Sequence, residues 1–222
     1  MKNIVFKSFK INEDQYIELL QKLNDFCFNL EDGEGVQVIE ETIDYARCIY
    51  CYETIYMQNM YNPSIGDFEK TKLKKIELIP FIIDLKYQTL DIFGTKQKCS
   101  RVIDMIGKIT RYRIPVIDIQ VNPIKILLAC SDRGISYCVK KVKIVDYVFF
   151  DNIIGNCILD LSEYQKTEEV LKKYEKQIVS FSSAIKIDDA YSITFYKSGA
   201  ISIYKEFEDI KISLIRTLKC GL

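Results

Sequence analysis

The sequence predicts an α+β protein of two antiparallel β-sheet units, each covered by helices on one face. Three observations carry this. Two segments keep helical apolar spacing behind or beside clear start signals. Between and after them lie runs rich in Ile, Val, Thr and Tyr that favour extended structure. In addition, 222 residues with 48% hydrophobic and 28% charged side chains suffice for a buried core of one large or two small domains.

The elements follow in order. Asn3–Phe9 alternates and reads as a strand. Asn12 followed by Gln15 has capping-box spacing, and Tyr16, Leu19, Leu20, Leu23, Phe26 and Cys27 then line one helical face. Glu31 to Gly35 is a turn by composition, and Val36–Met57 reads as two strands with a break near Glu40–Thr42. Asn62 to Gly66 is a loop, Leu73–Leu85 and Tyr87–Phe93 are strands, and Thr95–Thr110 is a second helix with Cys99, Val102, Ile103, Ile106 and Ile109 on one face. The first half is therefore β-α-β-β-β-β-α.

Residues 114–134 read as a connector between units 1–113 and 135–222. Ile114–Val121 is extended, and Asn122-Pro123 caps a short helix through Cys130, with proline at the tolerated first position. Ile135–Phe150 is a strand or bent pair and Asn156–Leu161 another strand. Ser162 and Gln165 repeat the capping-box spacing and predict a helix starting there. Ile178–Ile187, Ser192–Lys197 and Ala200–Lys205 are strands, the last two joined through Lys197-Ser198-Gly199, and Ile210, Leu214, Ile215 and Leu218 suit a closing helix. The order of the first half resembles that of the TATA-binding-protein fold, a curved sheet with helices on its convex side. No signature residues accompany the resemblance, and it implies no function.

Histidine is absent, which excludes imidazole-dependent catalysis and His-based metal sites. Lys plus Arg equals Asp plus Glu at 31 each, so no global positive charge points to nucleic acid. Eight cysteines lie mostly inside apolar strings and read as reduced, packed thiols in a cytoplasmic protein. The amino terminus does not read as a secretory signal, and no apolar run reaches membrane-span length. No cofactor or metal is expected. Cys48 and Cys51 form the lone CxxC, and on a strand residues three apart point to opposite faces, against chelation.

Three binding features remain. Lys98, Arg101 and Lys108 fall on one side of the second helix, and Lys96, Arg111 and Arg113 extend the charge at its ends, a stripe suited to nucleic acid or an acidic partner. Further lysines cluster at Lys70, Lys72, Lys74 and Lys75 and at Lys140, Lys141 and Lys143. Tyr196 and Tyr204 stand on the polar face of the last hairpin, where aromatic rings can stack on bases or anchor a partner. The leading expectation is a non-catalytic binding or assembly subunit acting through another protein chain or through self-association. The alternative is a nucleic-acid-binding component using the basic helix and lysine-rich strands. The third is a metal-dependent nuclease built on Asp67, Asp84 and Lys86. The Ile, Lys, Asn and Tyr bias fits an AT-rich bacterial, phage or mobile-element genome.

Overall fold

The computed structural model describes residues 2–119, 122–150 and 153–219. Among them are eleven strands and five α-helices, a mixed α+β class, with every strand pair named below antiparallel. The order is β1 (Lys2–Phe9), α1 (Glu13–Asp25), β2 (Glu34–Glu41), β3 (Tyr45–Asn62), β4 (Asp67–Asp84), β5 (Thr89–Phe93), α2 (Lys96–Thr110), then β6 (Val116–Asp118) and α3 (Pro123–Asp132). It continues as β7 (Ser136–Phe150), β8 (Ile153–Asp160), α4 (Thr167–Lys173), β9 (Ile178–Lys186), β10 (Ala190–Tyr196), β11 (Ile201–Ile203) and α5 (Ile212–Leu218). Through α2 this is the expected β-α-β-β-β-β-α order. No helix of the described residues is long and apolar enough to cross a membrane.

The chain divides into two compact units. One comprises Phe9–Ile92 and Lys96–Val116; the other comprises the described residues of Met1–Ser8, Phe93–Thr95 and Ile117–Leu222. In the first unit the capping box forms as expected. Asn12 Oδ1 accepts from the Gln15 amide at 2.8 Å and Gln15 Oε1 accepts from the Asn12 amide at 3.0 Å. Strands β2, β3, β4 and β5 pair in sequence. Directly opposed residues share a face, so Ala46, Cys48 and Tyr50 join Ile83, Phe81 and Ile79 in one buried layer with Leu90 and Ile92. Cys99, Val102 and Ile106 of α2 and Leu19 and Leu23 of α1 are buried with them. Gly35 in β2 is required by space, because a Cβ there would stand 2.2 Å from the Phe28 backbone nitrogen.

In the second unit β1 pairs with β11, β11 with β10, β10 with β9, β9 with β7, and β7 with β8. Strand alternation divides β10 into buried Tyr191, Ile193 and Phe195 and the more open Ser192, Thr194 and Tyr196. The buried face continues through Phe181 and Ile185 of β9 and Val142 and Val139 of β7, with Leu127 of α3 and Leu214 and Ile215 of α5 also fully buried. Residues 136–150 are one strand whose register shifts four times, between Val139 and Lys141 and between Lys143 and Ile144 against β9, and twice against β8.

One local expectation fails. Ser162 and Gln165 do not start a helix: the Ser162 hydroxyl donates to the Asp160 carboxylate at 2.7 Å, and the Tyr164 amide returns to the Leu161 carbonyl at 3.0 Å. The capping side chain is thus committed backwards to a turn, and α4 begins at Thr167 without a side-chain cap.

Candidate functional site

The basic helix α2 presents a mixed surface. Lys98 Nζ lies 2.9 Å from Glu77 on β4, and Lys75 Nζ reaches the same carboxylate at 2.6 Å. These two hydrogen bonds pull the Glu77 carboxyl down to about 2. The Arg101 guanidinium lies 4.3 Å above the Tyr52 ring, which is stacked on Tyr50 at 5.5 Å. Lys108 pairs with Asp104 at 3.1 Å, one helical turn away, and Asp104 also accepts from the Tyr112 hydroxyl. Lys96, Arg111 and Arg113 are exposed. The last two face Glu18 on α1, whose carboxyl is held below its ordinary range first by the Lys22 hydrogen bond, with smaller contributions from Arg113 and Arg111. Acidic neighbours thus engage Lys98 and Lys108, and Arg101 lies on an aromatic ring, while Lys96, Arg111 and Arg113 stay exposed.

Tyr196 and Tyr204 lie on the same open face of the second unit but apart. Tyr204 opposes Ser192, four positions and roughly 13 Å along β10 from Tyr196. Tyr204 is half exposed and its hydroxyl lies 3.3 Å from Thr194 Oγ1. Tyr196 is partly buried on the wall of a 410 Å³ cavity, beside Ser180 and Lys197. Lys197 Nζ is occupied by the Lys176 carbonyl at 2.8 Å.

The candidate chemistry of the first unit does not assemble. Cys48 is fully buried, and burial pushes its thiol up to about 12, while Cys51 lies on the opposite face of β3. A thiol held protonated in this way is a packing group and a poor nucleophile. Asp67 opens β4 and Asp84 closes it, which puts the two carboxylates roughly 55 Å apart along one strand.

What sequence reading missed is the reach of two hairpins. Pairing between β3 and β4 is unbroken from Tyr45↔Asp84 to Asn62↔Asp67, yet β2 accompanies β3 only as far as Tyr52 and β5 accompanies β4 only over Phe81–Asp84. Beyond Glu53 the two strands form a ribbon with exposed Ile55, Tyr56, Met57, Met60, Tyr61 and Phe68. The β7–β8 hairpin likewise runs past the last β9 pair, Ile144↔Ile178, and exposes Val148, Phe149, Phe150, Ile153 and Ile154. A signal was present in each case: a run of β-favouring residues longer than one sheet crossing, with apolar side chains on both parities. No protein-family model matches the chain, and no curated protein matches it.

Proposed function

We propose that this chain is a non-catalytic binding or assembly subunit, two antiparallel-sheet units that act through protein–protein contacts. The observation that carries the reading is β8. It pairs with β7 alone among the described strands, so one row of its backbone N–H and C=O groups has no strand beside it. Its exposed side chains include Ile153, Ile154 and Ile158, at 55%, 64% and 68%. An edge of this kind normally carries lysine, proline or an inward charge that prevents strand addition. The segment Ile153–Asp160 has no such group before Asp160. Both outer pairings carry register irregularities, but the other outer strand, β2, differs in charge: Glu34, Glu40 and Glu41 lie along it.

The occupant that fits is a second copy of the chain, because two identical edges pair antiparallel about a two-fold axis. The free thiols, Cys48, Cys99 and Cys130 among them buried, support work in a reducing compartment such as the cytoplasm. The test is sedimentation of the full chain over a concentration series, beside an Ile154→Lys/Ile158→Lys variant. Self-association that weakens at least about tenfold in the variant is expected, because each lysine must be desolvated at the joint. A chain that stays monomeric at every concentration, or a variant that associates like the parent, removes the reading.

A further inference from the structure

The distal ribbon of β3 and β4 belongs to the other unit and carries different chemistry. Its free length, from Thr54↔Lys75 to Asn62↔Asp67, is roughly 27 Å. Opposed residues share a face, so the register sorts its side chains. One face carries Ile55, Met57, Asn59 and Tyr61 from β3 beside Lys74, Lys72, Lys70 and Phe68 from β4. The other carries Thr54, Tyr56, Gln58 and Met60 beside Lys75, Leu73, Thr71 and Glu69. The first face thus has three lysines in file, about 6.8 Å apart. Lys74 reaches Glu53 at 2.9 Å, whereas Lys70 and Lys72 have no ion pair among the described residues. On the second face Lys75 is held by Glu77, and Glu69 offsets what remains. The tip is apolar: Tyr61 and Phe68 meet edge to face at 5.6 Å and both are exposed, as is Ile65 on the turn.

We infer that this ribbon is a nucleic-acid-binding arm that lies in a groove of duplex DNA, with Lys70, Lys72 and Lys74 on the phosphates and the Tyr61–Phe68 tip against the bases. A two-stranded ribbon is one of the two backbone shapes that the B-form major groove, about 12 Å wide, admits. Lysines at alternate positions hold a strand of phosphates without reading sequence, and an apolar tip contacts thymine methyls or wedges at a base step. Charge decides against a protein occupant. Lysine is depleted at the centre of protein interfaces, and here a lysine file runs the length of the face. The deep, narrow major groove of A-form RNA excludes a ribbon. The inference is independent of strand addition at β8.

The test is fluorescence anisotropy of the full chain with a fluorescein-labelled duplex of about 20 base pairs, titrated at several salt concentrations. Binding in the micromolar range at low salt is expected, with log K falling against log salt at a slope of about −2.7 for three phosphate contacts. Lys70→Gln/Lys72→Gln should bring the slope near −0.9 and weaken low-salt binding at least about tenfold. Tyr61→Ser/Phe68→Ser should weaken binding and leave the slope in place. All four positions are exposed, so circular dichroism should report unchanged folding. Any of four results overturns the inference: no duplex binding at about 100 µM protein and low salt, below even ordinary non-specific affinity; binding indifferent to the lysine pair; equal or tighter binding of single-stranded DNA or A-form RNA of the same length; or binding of phosphatidylserine vesicles with the duplex ignored. Sedimentation of Lys70→Gln/Lys72→Gln should match the parent, which separates failure here from failure at β8.

Discussion

The β3–β4 and β7–β8 hairpins both outrun the strands that flank them, but they place their lysines at opposite ends. In β3–β4 the lysines 70, 72, 74 and 75 lie on the ribbon itself, among exposed Ile55, Met57 and Tyr61. In β7–β8 the lysines 140, 141 and 143 stay where β7 still pairs with β9, and past that point come Val148, Phe149, Phe150, Ile153 and Ile154. The difference teaches that two ribbons of one shape can present unlike surface chemistry. An unpaired strand beside lysine is protected from adding another strand and is drawn to polyanions, whereas the same strand without charge is a template for a further strand.

The largest expected effect is on stability. Phe81 at the root of β4 is fully buried, and Phe68 at the tip of the same strand is 66% exposed. Phe81→Ala should cost about 3–5 kcal/mol in urea denaturation, the loss of a buried ring plus the cavity it leaves. Phe68→Ala should stay within about 0.5 kcal/mol. A comparable loss at Phe68 would mean that the ribbon is packed against something, and its reading as a free arm would fall.

The next step exchanges the two behaviours. Lys70→Ile/Lys72→Ile removes the charge from the first ribbon and should make the chain associate through it, at concentrations at least about tenfold below those the parent tolerates, as read by light scattering. If the variant remains as dispersed as the parent, charge is not what distinguishes the hairpins.

This also explains which parts of the molecule could be read from the sequence. Element order was legible where a start or stop rests on local chemistry: the reciprocal Asn12–Gln15 cap, Asn122 accepting from the Ile124 and Lys125 amides, and the turn in which the Gly199 amide returns to the Tyr196 carbonyl. The extent of the hairpins was not. Tyr50 in the core and Tyr56 on the ribbon are the same residue type at the same strand parity, and what separates them is where β2 stops pairing, which is decided far away in sequence. The partners of the basic stripe were hidden from the sequence for a related reason. Helical spacing placed Lys98 and Arg101 together, but Glu77 and Tyr52, which engage them, arrive from β4 and β3. The Ser162 motif was misleading because its hydroxyl had a nearer acceptor in Asp160.

The smallest expected effect lies at the root of the first hairpin, where Glu77 joins β4 to α2 through Lys98 while holding Lys75 on its own strand. Its carboxyl sits at about 2 when folded, below the ordinary value of 4.5, because both ammonium groups favour the charged form. A carboxyl depressed by folding stabilises the protein fully above the unfolded value, and that contribution fades as pH falls from about 4.5 through about 2. The side chain retains 22% exposure, and solvent screening brings the contribution to about 1 kcal/mol. Glu77→Gln should therefore lower stability by about 1 kcal/mol at neutral pH and by nearly nothing near pH 2, with the neutral-pH difference shrinking at high salt. Paired urea titrations at the two pH values measure this. A difference that persists unchanged at low pH would assign Glu77 a role in packing, and the ribbon would then be anchored to α2 by shape instead of by charge.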